Sequence, residues 1–244
     1  MRQKQKKQLH IVVMIPTYNE RENIQELLPA LLKLPANIHF LVVDDHSPDR
    51  TWQVVERMQK KNPRIHLLDR KRERGRGTAG IAGYRWALQD HADLILEMDA
   101  DFSHPPILIP KLIAGLQKND VVLASRLIDH GLDEDRIIFR KWLTLSSIFY
   151  VRLLLGIPVQ DVNSGFRGFR RAALEDILPY LKSKRTDIVQ EVLYLCYLHG
   201  YKIQEIPLAF QERKWGRTKK TLADFWEAFA TIIKLKIRHW KGEI

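Results

Sequence analysis

Residues 95–106 read ILEMDADFSHPP, an apolar run that leads into two aspartates, Asp99 and Asp101, separated by one alanine. Side chains two positions apart in an extended segment point to the same side, so the two carboxylates lie together at the end of a predicted strand. Two such carboxylates repel each other unless a cation lies between them. Mg²⁺ and Mn²⁺ bind oxygen ligands of this kind and often share them with substrate phosphates. The stretch therefore predicts a metal-binding strand end, although an Asp-x-Asp pair taken alone is more often a solvated turn.

The first half of the chain alternates strand-like apolar runs with segments of helical spacing. The predicted strands are His10–Ile15, Ile38–Val43, Arg64–Leu68, Asp93–Met98 and Val121–Ala124. The predicted helices are Glu20–Lys33, Pro48–Lys61 and Thr78–Gln89, the second with Ser47 as its cap and Pro48 at its first position. Apolar strands without a period of two, separated by helices, indicate a mostly parallel α/β sheet covered by helices on both faces.

Polar clusters stand where these strands end. They are residues 16–20, Asp44–Asp45, the loop Arg70–Gly77 and Asp99–Asp101. Ligands of parallel sheets bind at the carboxyl ends of the strands, so the clusters indicate one site. Simpler interpretations remain for two of them. Asp44–Asp45 suits an Asx-turn or helix cap as well as a contact to a base or ribose. The arginine–glycine loop suits a solvated loop as well as a phosphate cradle before a helix.

Beyond residue 130 the alternation fades. The predicted elements there are a helix over Lys141–Leu155, a polar turn over Asp161–Phe169, helices over Arg171–Pro179 and Asp187–His199, a strand over Lys202–Phe210 and a final helix from about Thr221 to His239. The final helix has an apolar stripe and a basic C-terminal half. It fits an amphipathic helix on an anionic membrane or a helix packed on the domain. The cationic segment Arg213–Lys220 fits a pyrophosphate clamp or a basic loop that orders on binding.

Composition limits the class of protein. The 244 residues are 45% hydrophobic, which is enough for one substantial core, and the net charge of +11 predicts an anionic partner: nucleic acid, an anionic membrane or a phosphate-rich substrate. The single cysteine, Cys196, cannot form an internal disulfide and is typical of a small core residue in a reducing compartment. No run reaches the roughly 18 apolar residues that span a bilayer, and no secretory signal is evident. We therefore expect a soluble or peripheral protein.

A series of motifs resembles glycosyltransferase family 2, and most closely the polyprenol-phosphate mannose synthases. The motifs are IPTYNERENI (15–24), VVDDHSPDRT (42–51), GRGTAGIAGYRWAL (75–88), EMDADFSHPP (97–106), ASRL (124–127), DVNSGFRGFRR (161–171) and FQERKWGRTKK (210–220). They occur in the order and spacing of the family over nearly the whole chain. Each motif is weak alone, whereas the ordered series is specific.

The resemblance implies a GT-A (Rossmann-like) fold and an inverting polyprenyl- or dolichyl-phosphate β-D-mannosyltransferase. Such an enzyme moves mannose from GDP-mannose to a polyprenyl or dolichyl monophosphate with Mg²⁺ or Mn²⁺. The resemblance assigns nucleotide contacts to Pro16, Tyr18 and Glu20, and the guanine or ribose region to Asp45. Asp99 and Asp101 would hold the metal and the diphosphate, with Ser103 as a weaker metal ligand where some relatives have glutamine.

The cationic residues receive roles by the same resemblance. Asp101, Arg126 and Arg140 would be the catalytic residues, with Arg126 lining the active site and Arg140 binding the acceptor phosphate. Arg213 and Lys219 would clamp the diphosphate or the acceptor phosphate. Because the acceptor phosphate is already an anion, the reaction needs no strong general base. Catalysis would then rest on positioning and charge neutralisation.

The resemblance also implies an organisation and a location. We expect a basic tail over residues 1–9, a GT-A domain over 10–220 and an amphipathic basic helix over 221–244, peripheral at the cytoplasmic face of a membrane. The helix would contact the membrane or dock to a membrane-anchor partner, because the membrane helices of some relatives are missing. No nucleic-acid partner is expected. Two alternatives remain: a polyprenyl-phosphate glucosyltransferase that uses UDP-glucose, and a basic nucleic-acid- or lipid-binding protein without catalysis.

Overall fold

The computed structural model describes residues 8–128, 153–208 and 222–244. Most of the predicted helix Lys141–Leu155 lies outside these residues. Arg140, Arg213 and Lys219 also lie outside them. None of the helices within the described ranges has the length and apolarity needed to span a bilayer.

Within the described residues, seven strands form one sheet in the order β3–β2–β1–β4–β6–β5–β7. The strands are β1 (Ile11–Thr17), β2 (Ile38–Asp44), β3 (Ile65–Asp69), β4 (Leu94–Glu97), β5 (Val121–Ser125), β6 (Arg167–Arg170) and β7 (Ile203–Pro207). β1 pairs in parallel with β2 and β4, β2 with β3, and β5 with β7. The parallel strands therefore all end at one edge of the sheet, which we call the carboxyl edge.

Strand β6 is antiparallel to both of its neighbours and was missed by the prediction of a polar turn over Asp161–Phe169. Two of its four residues are arginines, so it has no apolar pattern. Arg167 is nevertheless only 1% exposed, because it lies opposite Glu97 of β4 in the register and forms an ion pair with it. Cross-strand pairs of opposite charge stabilise such neighbours. Because β6 runs backwards, its beginning lies at the carboxyl edge.

Helices cover both faces of the sheet, as predicted. They are α1 (Arg21–Leu31), α2 (Thr51–Gln59), α3 (Arg76–Gln89), α4 (Ile109–Gly115), α5 (Arg171–Ile177), α6 (Ile188–Leu198) and α7 (Leu222–Trp240). One core cluster joins the sheet to α1, α2 and α4, and the other joins it to α3, α5, α6 and α7. Strands β1, β2, β4 and β5 are almost fully buried between the two layers, which explains their continuous apolar runs, whereas the edge strands β3 and β7 are partly exposed.

Helix α2 begins three residues later than predicted. The residue before it, Arg50, has a left-handed φ of 65°, so Pro48 is not in the first helical turn. The Ser47 hydroxyl donates to Asp44 Oδ2 at 2.7 Å and does not cap the helix. Asp49 instead accepts from the Thr51 backbone N–H at 2.9 Å. The polar residues before α2 therefore hold the loop at the carboxyl edge.

Candidate active site

The loops at the carboxyl edge hold several residues in a strained backbone conformation. Among the described residues other than glycine, positive φ occurs at Asn19, His46, Arg50, Phe102 and His91, and all but His91 belong to loops at this edge. Left-handed φ costs energy for such residues and concentrates at functional sites. The loops at this edge are therefore held in defined conformations and are not unconstrained turns.

Asp44 has a structural role in this edge. It is fully buried, and its carboxylate accepts hydrogen bonds from Thr17 Oγ1 and Ser47 Oγ, both at 2.7 Å. Ser47 Oγ in turn accepts from the Asn19 N–H at 3.0 Å. These bonds join the loop after β1 to the loop after β2. Asp44 Oδ1 also accepts from the Ser47 N–H at 2.8 Å, so the turn interpretation is correct for Asp44.

Asp45 connects the loop after β2 to the loop before α3. Arg70 Nη1 donates to its Oδ1 at 2.6 Å, and the Gly75 N–H donates to its Oδ2 at 2.7 Å. Burial raises the pKa of this carboxyl, while the Gly75 bond and the Arg70 charge act to lower it. Arg70 also donates to Thr78 Oγ1 at 2.6 Å. The predicted contact from Asp45 to guanine or ribose stays a prediction.

The glycine-rich start of α3 packs against the loop before α6. The N–H groups of Gly77 and Thr78 donate to the Lys184 carbonyl at 3.1 and 3.4 Å. A Cβ at Gly75 or Gly77 would lie 2.4 Å from the carbonyl oxygen of Lys184 or Ser183. The glycines are therefore required for a close approach between two loops. The phosphate-cradle interpretation placed these amides against a ligand, whereas the structure places them against the loop before α6.

The acidic pair lies in a tight turn after β4. The Ser103 N–H and hydroxyl both donate to Asp101 Oδ1, at 3.1 and 2.6 Å, around the left-handed Phe102. Asp101 and Ser103 are almost fully buried, whereas the Asp99 side chain is 40% exposed. Ser103 thus orients Asp101. Its predicted role as a weak metal ligand stays a prediction.

His104 completes this turn and was not singled out by the sequence. The Asp99 N–H donates to its Nδ1 at 2.8 Å, and its ring stacks on Phe166 with centroids 4.9 Å apart. Burial lowers its pKa. A neutral ring that accepts at Nδ1 carries its proton on Nε2, which lies 4.0 Å from Asp99 Oδ2. Because Nδ1 is occupied, it is not available as a general base.

A buried ionic cluster lies directly behind the acidic pair, and we call its four residues, Glu97, Arg76, Tyr84 and Arg167, the Glu97 cluster. Arg76 and Tyr84 donate to the Glu97 carboxylate, and Arg167 Nε donates to it at 2.9 Å. Burial acts to raise the pKa of Glu97, but the two arginines outweigh burial and lower it to about 2. Glu97 is therefore an anion at neutral pH. This cluster was not predicted from the sequence, because its members are spread over three elements.

Arg126 lies at the end of β5 and is fixed by Asp161. Its Nε and Nη2 donate to the two oxygens of Asp161, both at 2.7 Å, in a bidentate pair. Burial acts to lower the pKa of Arg126, but Asp161 and Asp99 raise it overall. Gly165, in the loop from Asp161 to Phe166, lies close to Asp99, since a Cβ on Gly165 would be 3.9 Å from Asp99 Oδ1. The charges of both Asp161 and Asp99 thus act on Arg126. The predicted role of Arg126 in the active site stays a prediction.

The remaining predicted nucleotide contacts lie in the loop after β1. Pro16 pairs with Val43 in the sheet register, and Tyr18 lies beneath the Arg74 guanidinium, 5.6 Å from the ring centroid. Glu20 accepts from Asn23 Nδ2 at 2.7 Å. These three residues are therefore at the predicted edge. Their contact to a nucleotide stays a prediction, as do the roles of Arg140, Arg213 and Lys219.

The carboxylate oxygens of the acidic pair suit a hard divalent ion. Asp99 and Asp101 supply carboxylate oxygens, which Mg²⁺ and Mn²⁺ prefer. In the part of the chain that the structure describes, no group of three His, Cys, Asp or Glu side chains has the arrangement of a metal site. Mg²⁺ commonly binds through one or two carboxylates and takes its other ligands from substrate phosphates and water. The acidic pair suits that arrangement.

These features define an α/β protein with an acidic pair at the carboxyl edge of a largely parallel sheet. Residues 12–178 match the model of glycosyl transferase family 2. The chain is 32% identical to the undecaprenyl-phosphate mannosyltransferase of Micrococcus luteus over 96% of this chain and 97% of that protein. It is also 32% identical to the polyprenol monophosphomannose synthase of Mycolicibacterium smegmatis, over 93% and 87%. The chain belongs to glycosyl transferase family 2, and the predicted family is confirmed.

Solved structures confirm the GT-A-like fold. The glucosyl-3-phosphoglycerate synthase of Mycobacterium tuberculosis, in complex with Mn²⁺, UDP and phosphoglyceric acid, matches with a TM-score of 0.70 at 16% identity, over 93% of this chain and 78% of that chain. A mannosyltransferase of Pyrobaculum calidifontis, in complex with GDP-mannose and Mn²⁺, matches with a TM-score of 0.61 at 18% identity, over 97% and 65%. At these identities the likeness establishes the fold alone.

Proposed function

We propose that this protein is a polyprenyl- or dolichyl-phosphate β-D-mannosyltransferase that uses GDP-mannose. The observation that carries the proposal is the turn after β4, which presents Asp99 and Asp101 at the carboxyl edge of the sheet, beneath Gly165 and near Arg126. The names of the relatives, which are similar over nearly the whole chain, support the acceptor and the sugar. A GDP-mannose complex of a protein with the same fold supports the donor.

Asp99 and Asp101 would hold Mg²⁺ or Mn²⁺, which when bound neutralises charge on the departing diphosphate. Ser103 keeps Asp101 in position through its two hydrogen bonds. Pro16, Tyr18, Glu20 and Asp45 would bind the nucleotide. The Arg74 guanidinium over Tyr18 adds a cation to that part of the site.

The cations would orient the acceptor. Arg126 is held in one orientation by the bidentate pair with Asp161, so its charge is fixed near Asp99. Arg140 would bind the acceptor phosphate, and Arg213 and Lys219 would clamp phosphate groups. The acceptor phosphate attacks as an anion, which agrees with a site whose buried histidine has its Nδ1 occupied.

Helix α7 supports a peripheral membrane location. Its Ile232 and Leu235 are buried in the core, whereas Ile233, Ile237 and Trp240, spaced along the opposite face, are 42%, 45% and 89% exposed. Lys234, Lys236 and Lys241 are exposed beside them. An exposed apolar stripe flanked by lysines suits the interface of an anionic membrane. We propose that this face contacts the cytoplasmic leaflet, directly or with a membrane-anchor partner.

The test is a transfer assay with radiolabelled GDP-mannose and a short polyprenyl phosphate, with and without Mg²⁺ or Mn²⁺. Metal-dependent formation of polyprenyl-phosphate mannose is expected. UDP-glucose serves as the competing donor. Preferential transfer of glucose would show that the protein is a glucosyltransferase and not a mannosyltransferase. Absence of transfer from either donor, in a folded protein supplied with metal, would contradict the enzymatic function. Co-sedimentation with anionic and neutral vesicles tests the membrane contact, and only the anionic vesicles are expected to retain the protein.

A further inference from the structure

Arg76 is a cation beside the acidic pair that has no role in the proposed reaction. It is the first residue of α3, and its Nη2 donates to Glu97 Oε1 and also lies 3.6 Å from Asp99 Oδ1. Its Nη1 is buried and has no hydrogen-bond partner among the described residues. Arg76 Nη2 thus lies between Glu97, which is fully buried, and Asp99, which is a proposed metal ligand.

The position of Arg76 is fixed from both sides. Glu97 is fully buried and is also bonded to Tyr84 and Arg167, so Arg76 cannot leave it without exposing part of a buried ionic cluster. The backbone around Arg76 cannot shift easily either, because the flanking glycines pack against the Lys184 and Ser183 carbonyls. Arg76 is therefore a fixed cation beside Asp99.

A fixed cation has two opposite effects at this place. It attracts the Asp99 carboxylate and so orders it when no divalent ion is bound. It would also repel a divalent ion that binds the same carboxylate, because two cations that share one carboxylate oppose each other in a partly buried site. A diphosphate bound to the ion would bring negative charge close to both cations and so reduce this repulsion.

We infer that Arg76 is a positioning residue that couples metal binding to diphosphate binding, keeping the divalent ion weakly held until the nucleotide arrives. The inference rests on the proposed function, because it takes Asp99 and Asp101 as the metal ligands. Its consequence is an unusual one for a residue next to an active site. Removal of the charge of Arg76 should tighten the binding of the ion alone.

The experiment is a titration with Mn²⁺, in which the EPR signal of the free ion measures binding, with and without GDP. Arg76→Gln removes the charge and keeps an N–H donor for Glu97. We expect it to bind Mn²⁺ alone about tenfold more tightly than wild type, the effect of one adjacent charge on a carboxylate. We also expect the gain in Mn²⁺ affinity on adding GDP to fall by about the same factor. Loss of a purely structural residue would weaken binding, not tighten it.

Two further variants make the test decisive. Arg76→Lys keeps a cation on Glu97, but a lysine lacks the rigid, spread charge of the guanidinium, so a smaller tightening of about threefold is expected. This variant provides the test if the glutamine variant unfolds below the assay temperature. Arg85→Gln, on an exposed position of the same helix, makes the same change in net charge and should leave Mn²⁺ affinity unchanged. Equal or weaker Mn²⁺ binding in both Arg76 variants would overturn the inference.

Failure of the proposed function has a different signature. If the Asp101→Asn variant binds Mn²⁺ as tightly as wild type, the proposed metal site is wrong and the inference is wrong with it. If Asp101→Asn abolishes binding but the Arg76 variants match wild type, the metal site stands and the inference alone fails.

Discussion

Replacement of Glu97 by glutamine is expected to destabilise the fold by about 3–5 kcal/mol, the usual cost of removing one partner from a buried ion pair. Glu97 is fully buried and accepts hydrogen bonds from Arg76, Tyr84 and Arg167. Glutamine has nearly the same shape but no charge, so the buried Arg167 loses its counter-ion. The low pKa of Glu97, about 2 against an ordinary 4.5, corresponds to a similar stabilisation of about 3 kcal/mol at neutral pH.

Thermal and urea unfolding measure this effect. Each kcal/mol shifts the Tm of a chain of this size by about 2–4 °C, so a decrease of about 6–20 °C is expected. Glu56→Gln is the matched control, because it removes the same charge from an exposed pair with Lys60 at 3.8 Å and should cost less than about 0.5 kcal/mol. If Glu97→Gln loses as little stability as the control, the contribution assigned to the Glu97 charge is refuted.

The dependence on pH gives the same prediction a second check. The pKa of Glu97 is lower in the folded protein than in the unfolded chain, so its stabilisation is present above about pH 4.5. It is lost as the pH falls from there towards 2. The difference in stability between wild type and Glu97→Gln should therefore narrow over that range. A difference that stays constant would show that the carboxylate charge is not its source.

Three further predictions concern the proposed reaction. Asp101→Asn should abolish mannosyl transfer while its Tm stays near that of wild type; a folded variant with near-normal transfer would remove Asp101 from the metal site. Ser103→Ala should weaken Mn²⁺ binding about 10–100-fold, the usual effect of losing a residue that orients a ligand, and an unchanged EPR titration would contradict that role. Asp161→Asn should raise the KM for polyprenyl phosphate more than the KM for GDP-mannose, because Arg126 loses its bidentate partner; an equal rise in both would point to general disorder of the site.

The sequence predicted most of the fold because buried parallel strands are continuous apolar runs with polar ends. The predicted strand Ile38–Val43 is β2, one residue short, and Val121–Ala124 is β5, also one residue short. Once the strands are parallel, their ends must lie at one edge, so the polar residues that follow them must also lie there. The grouping of the predicted residues followed from topology and needed no side-chain detail.

The parts that were missed depend on pairs distant in the chain. Arg167 is buried in β6 only because Glu97, seventy positions earlier, lies opposite it. A local pattern of arginines and glycine gives no sign of such a partner. The amides at the start of α3 likewise bond to Lys184, far along the chain, where the motif suggested a phosphate. Local pattern identifies which groups are polar, whereas long-range contacts decide what they bind.

The carboxylates at the carboxyl edge differ in how they are neutralised, and this difference separates structural from ligand-binding roles. Glu97 and Asp161 each have an arginine within direct hydrogen-bonding distance, and so does Asp45. Asp99 lies 3.6 Å from the Arg76 guanidinium and is the most exposed of the four. This exposure makes Asp99 the most accessible of the four to a divalent ion. The predicted nucleotide role of Asp45 rests on different grounds. Each carboxylate oxygen has two lone pairs, so a ribose hydroxyl can be added without displacing Arg70.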